Sequence, residues 1–260
     1  MVQQAFARQA KNILATDDKV IGLAVGGSWL ADEVDEFSDL DLVLVTQEKI
    51  SHDLSHMLEY ARKLGDFISG FTGEHVGEPR LLICLYDNPL LHVDLKFLTL
   101  EEFGTRVETP VLLLDKEGQL ANTLQSSQAR FPYPSYQWIE DRFWTWIHYA
   151  LTKIGRGEYV EAVDFFAFLR MLVLGPLLHI KNGNLPRGVR KVEKEVAPED
   201  LAQLKLTIPT CERKSLLDSL GNAVNLYRHL RTVLYDGQVN LQREAEEKVM
   251  TYFTVIQHRK

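Results

Sequence analysis

Apolar and polar positions alternate in distinct periods along the first half of the chain. Val2 to Leu14 carries Phe6, Ala10, Ile13 and Leu14 on one side at helical spacing, which predicts an amphipathic helix. Lys19 to Val25 reads as a strand that stops at Gly26-Gly27. Ser28 then stands where a helix N-cap belongs, with Asp32 and Glu33 near the first turn. Asp39 to Val45 alternates with the period of a strand, and Ser51 to Leu64 has the pattern of a helix. Further strands are expected at Arg80 to Tyr86, His92 to Leu98 and Val111 to Leu114, the last closed by a turn at Asp115-Lys116-Glu117-Gly118.

The pattern changes after that turn. Ala121 to Ser135 is polar and ends in Phe131-Pro132-Tyr133-Pro134, a linker with restricted backbone. Helical periods follow at Tyr136 to Ile154, Tyr159 to His179, Ser215 to Tyr235 and Val239 to Gln257, with Gly155-Arg156-Gly157, Asn182-Gly183-Asn184 and Asp236-Gly237 as stop signals. The expected architecture is α+β: an N-terminal mixed β-sheet domain over residues 1–120, followed by a C-terminal helical bundle over residues 135–260.

Strand periodicity also sorts the candidate chemistry. In Asp39-Leu40-Asp41-Leu42-Val43-Leu44-Val45 the three leucines share one face and both carboxylates the other, roughly 7 Å apart at Cα. In the strand around Asp94, His92, Asp94 and Lys96 share a face while Val93, Leu95 and Phe97 fill its opposite. If these strands are neighbours, Asp94 completes a cage of three carboxylates, a hard-oxygen set suited to divalent cations. Gly26 and Gly27 permit close backbone approach to an anion. Ser28 and Lys96 are placed to meet phosphate oxygens. A glycine pair alone is usually a turn, and an Asp-Leu-Asp alone a solvated edge. The conjunction in order, spacing and strand face carries the functional reading.

Taken together, these residues resemble the active-site signature of the DNA polymerase β-like nucleotidyltransferase superfamily. Gly27 and Ser28 match its small-residue pair, Asp39 and Asp41 its Asp-x-Asp, and Asp94 its later acidic strand residue. The match spans roughly the first hundred residues. It implies a catalytic core in which Asp39, Asp41 and Asp94 hold two Mg²⁺ ions. Gly26, Gly27, Ser28 and Lys96 would then bind an NTP donor, with ATP expected. A catalytic domain followed by a helical bundle is also similar to the bacterial aminoglycoside and lincosamide nucleotidyltransferases. Val111 to Gly118 resembles a segment of the streptomycin 6-adenylyltransferase group, and Phe143-Trp144-Thr145-Trp146 an aromatic helix of that group. The resemblance therefore implies transfer of a nucleoside monophosphate to a small-molecule hydroxyl, an antibiotic among the expected acceptors. A protein AMP-transferase or a toxin-neutralising module would use the same catalytic residues.

Composition narrows the acceptor. A net charge of −7 disfavours nucleic acid as a partner and suits a cationic small molecule. Glu158, Glu161 and Asp164 are the candidate acceptor-binding carboxylates, set against the plainer reading of a solvated helix face. Trp138, Trp144 and Trp146 are expected in hydrophobic core. Cys84 and Cys211 are too few and too far apart for a structural zinc site. The N-terminus lacks a signal-peptide pattern, and the apolar run Phe165 to Ile180 is broken by Arg170 and Gly175-Pro176. That run reads as a buried core helix, so a cytoplasmic enzyme, monomeric or homodimeric, is expected.

Overall fold

The computed structural model describes residues 1–259, and the chain forms two compact units, Met1–Phe131 and Pro132–Lys260. In the first, helix α1 (Val2–Ala15) leads to strand β1 (Val20–Val25), and β2 (Leu40–Thr46) precedes helix α2 (Leu54–Lys63). Then come β3 (Phe67–Gly73), β4 (Glu78–Tyr86), β5 (Leu91–Thr99), the single-turn α3 (Leu100–Phe103), β6 (Val111–Asp115) and α4 (Gln119–Ser126). The six strands make one sheet in the order β3-β4-β5-β2-β1-β6. All neighbours are antiparallel except β2 and β5, which run parallel.

The sheet buries its two faces unequally, and that asymmetry makes room for a site. On one face Leu40, Leu42 and Leu44 of β2 and Val93, Leu95 and Phe97 of β5 pack with Ala7, Ala10 and Leu14 of α1 and Met57, Tyr60 and Ala61 of α2. The leucine face expected from the alternation is therefore the main core. The other face carries a smaller cluster, Ile21, Ala24, Val45 and Leu98 under Phe103 and Leu120 of α3 and α4. Along β2 this second face runs Asp41, Val43, Val45, and along β5 it runs Asp94, Lys96, Leu98. Each strand thus passes from charge to buried apolar side chain within five residues, and only its far end is roofed.

Several elements differ from expectation. β3 lacks a clean period: its two glycines interrupt it and Ile68, Ser69 and Phe71 are exposed, as an edge strand allows. Residues 119–126 are helical rather than linker. Only Leu120 and Leu124 of that helix pack on the core, too few for a visible period. A local cap starts it: the Asp115 carboxylate accepts from the amides of Leu120 (2.9 Å) and Ala121 (3.0 Å). Leu120 Cδ1 also occupies the space a Cβ at Gly22 would need. Ser28 does not cap a helix. Gly26 precedes a five-residue 3₁₀ turn, Gly27–Ala31, which ends where Asp32 turns left-handed. Trp29 in that turn packs against the main core, while the acidic residues that follow have no apolar stripe to extend it.

The second unit is helical throughout its regular elements: α5 (Tyr136–Arg156), α6 (Tyr159–Leu169), α7 (Gly175–Lys181), α8 (Val192–Glu195), α9 (Pro198–Lys205), α10 (Arg213–Leu234) and α11 (Arg243–His258). A π turn at Arg170–Leu174 joins α6 to α7 into one helical run. That run, Tyr159–Lys181, is long and apolar enough to cross a membrane by length and composition, and half of the apolar window is buried within the protein. Phe166, Leu169, Val173, Leu174, Leu177 and Leu178 lie in the unit's core, as the sequence reading expects. Of the three tryptophans of α5, only Trp144 is fully buried. Trp146 packs at the margin of the core and Trp138 is exposed, edge-on to Trp146. Glu140 is a carboxylate buried in this unit, where His179 and Thr207 are also fully buried. At zero exposure it accepts from Tyr227 Oη (2.5 Å), the Gln242 amide (3.0 Å), Arg231 (3.2 Å) and Trp144 Nε1 (3.3 Å).

Candidate active site

The parallel pairing of β2 with β5 sets Asp41 directly opposite Asp94, and Val43 opposite Lys96. Asp39 lies just before β2, two residues from Asp41, so its side chain returns to the same face. Asp39, Asp41 and Asp94 each bring one carboxylate oxygen within 4.8 Å of the others, all three partly buried. Three anionic oxygens this close repel unless a cation lies among them. Their hardness and number fit a divalent metal cation.

The neighbouring groups act on Asp94 in opposite senses. Burial, and then the charge of Asp39, raise its pKa above the ordinary carboxylate value, while His92 pulls it down. His92 Nε2 sits 2.9 Å from Asp94 Oδ1 and steers that oxygen. On the same face Lys96 Nζ is 2.6 Å from Glu78 Oε2, and Arg80 donates to both Glu78 oxygens at 2.7 Å. These bonds, with that from Arg80 the largest influence, push Glu78 down to about 2. Arg80 also reaches Glu102 (3.9 Å), which pairs with Lys49 at 3.1 Å. Lys96 is therefore held by a carboxylate, two residues from Asp94, rather than extended toward the acidic cluster.

The glycine pair closes the site from β1. Gly26 N–H continues the ladder to the Asp41 carbonyl at 3.0 Å. Gly27 has φ +62°, and a Cβ there would fall 1.8 Å from Asp41 Oδ2, so the turn and the carboxylate fit only without a side chain. The amide of Gly27 donates to Glu108 Oε1 at 2.9 Å. Sequence reasoning misses Glu108, which lies 81 residues away in an aperiodic segment between α3 and β6. The one available signal is its position two residues before Pro110, whose ring fixes the backbone there. Ser28 lies in the 3₁₀ turn, partly buried.

Part of this set lines a cavity of about 1080 Å³ on the uncovered sheet face; Asp39, Gly27 and Ser28 are not in its wall. Asp41, Asp94 and Gly26 lie in its wall with Lys96 and Arg80, and Arg106, Glu108 and Arg130 are also part of the lining. A space of this size holds a nucleotide and more. All of these residues belong to the first unit.

Glu158, Glu161 and Asp164 lie in the second unit and form no part of the acidic cluster. Lys153 Nζ binds Glu158 (2.9 Å) and Glu161 (2.8 Å), and Tyr149 Oη donates to Glu161. Asp164 is exposed on α6.

No protein-family model matches the chain, and no curated protein matches it. Among solved structures the chain is similar to an aminoglycoside 6-adenyltransferase from Bacillus subtilis. The similarity covers 99% of each chain at 16% identity, with a TM-score of 0.44. It is also similar to a nucleotidyltransferase-like protein from Exiguobacterium sibiricum 255-15, over 98% of this chain and 89% of the other, at 11% identity and a TM-score of 0.36. Likeness at that level carries no weight beside the geometry of the carboxylates.

Proposed function

We propose that the protein is a metal-dependent nucleotidyltransferase that moves a nucleoside monophosphate from an NTP to an acceptor hydroxyl. The supporting observation is the convergence of Asp39, Asp41 and Asp94 from two adjacent parallel strands, beside a glycine turn whose amide donates to Glu108. The acceptor oxygen bonds to the α-phosphorus in line with the breaking bond to the β-phosphate. Pyrophosphate leaves with the bridging oxygen, and the hydroxyl proton passes to a carboxylate of the cluster. Mg²⁺ held by Asp39, Asp41 and Asp94 would offset the negative charge of the phosphates and activate the attacking oxygen. Gly26, Gly27 and Ser28 orient the phosphates. Lys96, exchanging Glu78 for a phosphate oxygen, neutralises charge on the leaving side.

The donor is ATP and the acceptor a cationic small molecule, with aminoglycosides and lincosamides the class to test first. The resemblance of the sequence and the net charge of −7 support that choice. Glu158, Glu161 and Asp164 are the carboxylates assigned to the acceptor. The enzyme is assigned to the cytoplasm.

The test is pyrophosphate release from each Mg²⁺–NTP with and without a drug panel. Acceptor-dependent release with ATP, lost on chelation and reduced at least about a hundredfold in Asp41→Asn, is expected. Undiminished turnover in Asp39→Asn or Asp41→Asn overturns the assignment.

A further inference from the structure

An amide meant for phosphate is in this protein already in use. Gly27 N–H, beside Asp41, donates to the carboxylate of Glu108 at 2.9 Å, and Glu108 itself lines the cavity. The fit is close. A Cβ on Gly26 would lie 2.8 Å from the same Glu108 oxygen, so the carboxylate lies close against the backbone of the turn. Glu108 does not reach this place by chance of a loose loop. Arg106, two residues before it, donates to Ser127 Oγ (2.5 Å), to the Ser127 carbonyl (2.9 Å) and to the Leu124 carbonyl (3.3 Å). The Arg106 carbonyl accepts from the Arg130 amide at 2.9 Å. Pro110, two residues after Glu108, is buried. The segment is tied down on both sides of the one residue that reaches the glycine turn.

We infer that Glu108 occupies the place of a donor phosphate oxygen in the nucleotide-free protein, so that the donor must displace it to bind. This inference rests on the nucleotidyltransferase reading. Two anionic oxygens sharing one N–H each bind it more weakly, and a carboxylate left beside a triphosphate adds like-charge repulsion in a partly buried site. Glu108 therefore sets donor affinity. It keeps the amide satisfied while the site is empty, and it opposes any ligand whose anion cannot outbid a carboxylate for that amide. A triphosphate carrying a divalent cation has the charge to do so. Once displaced, the carboxylate turns away on its own side chain, because the backbone that carries it is anchored through Arg106.

The experiment is calorimetric titration of the full-length protein, of Glu108→Gln and of Glu108→Ala with Mg²⁺–ATP, with Mg²⁺–tripolyphosphate and with adenosine. Removing the carboxylate's charge is expected to tighten both phosphate ligands about tenfold, in line with loss of one charge-assisted competitor. Adenosine, which has no phosphate, is expected to gain nothing. Glu108→Gln preserves size, so it decides the matter if Glu108→Ala melts early. Equal or weaker phosphate binding in a folded Glu108→Gln overturns the inference, as does an equal gain for adenosine. Wild-type protein that binds neither phosphate ligand overturns the nucleotide reading itself.

Discussion

At the scale of residues, the site is a set of opposed charges held closer than water would allow. Asp94 is the clearest case, because burial and Asp39 both raise its pKa. A raised carboxylate destabilises the fold at pH values above its folded pKa, and the cost disappears as pH falls below the unfolded value. Asp94→Asn is therefore expected to raise Tm at neutral pH while abolishing activity, checked by thermal melts beside the pyrophosphate assay. Glu78 has the opposite sign. Its pKa is depressed to about 2, so its contribution is present above the unfolded value and lost as pH falls toward 2. Glu78→Gln should melt below wild type at pH 7, with the gap closing between about pH 4.5 and 2. A gap independent of pH would mean that packing, not charge, is lost.

At the scale of elements, the parallel pairing of β2 and β5 does the assembling. It joins residues 41 and 94 across a chain excursion that contains α2, β3 and β4. A one-residue slip in that register would turn Asp94 toward the leucine core, where a carboxylate could not stay. The small helix α4 roofs the other end of the same face, and its position depends on Asp115 and on the space above Gly22. Asp115→Ala removes the acceptor of two helix amides. It is expected to cost about 1–2 kcal/mol in urea unfolding and to raise amide exchange in residues 119–126. Gly27→Ala tests the other end of the face. With φ +62° and Asp41 in the way, it should eliminate turnover, read in the same pyrophosphate assay.

At the scale of the whole molecule, each unit has its own core, and the second is organised around a buried anion. Glu140→Ala removes the acceptor of the Gln242 amide and of the buried Trp144 indole and one partner of Arg231, and leaves the Tyr227 hydroxyl only Tyr235. A loss of about 3 kcal/mol is expected, seen by calorimetry as a shifted transition of the second unit.

The extent to which this was legible follows from the range of each interaction. Two-residue alternation placed Asp39 and Asp41 opposite their leucines and Asp94 opposite its own apolar face, because the side a strand residue takes depends only on its neighbours in sequence. Helical periods located α1, α5 and the buried run from Phe165 in the same way. The sequence by itself thus determined the α+β class, the order of the main elements and which acids face away from the core. Tertiary structure alone decided what meets across long separations. The β2–β5 pairing, the Glu78 clamp on Lys96 and the carboxylate of Glu108 on the Gly27 amide join residues with no shared period. Local propensity is set by a few bonds along the chain; these contacts are set by which surfaces must be buried together, and only the folded chain solves that.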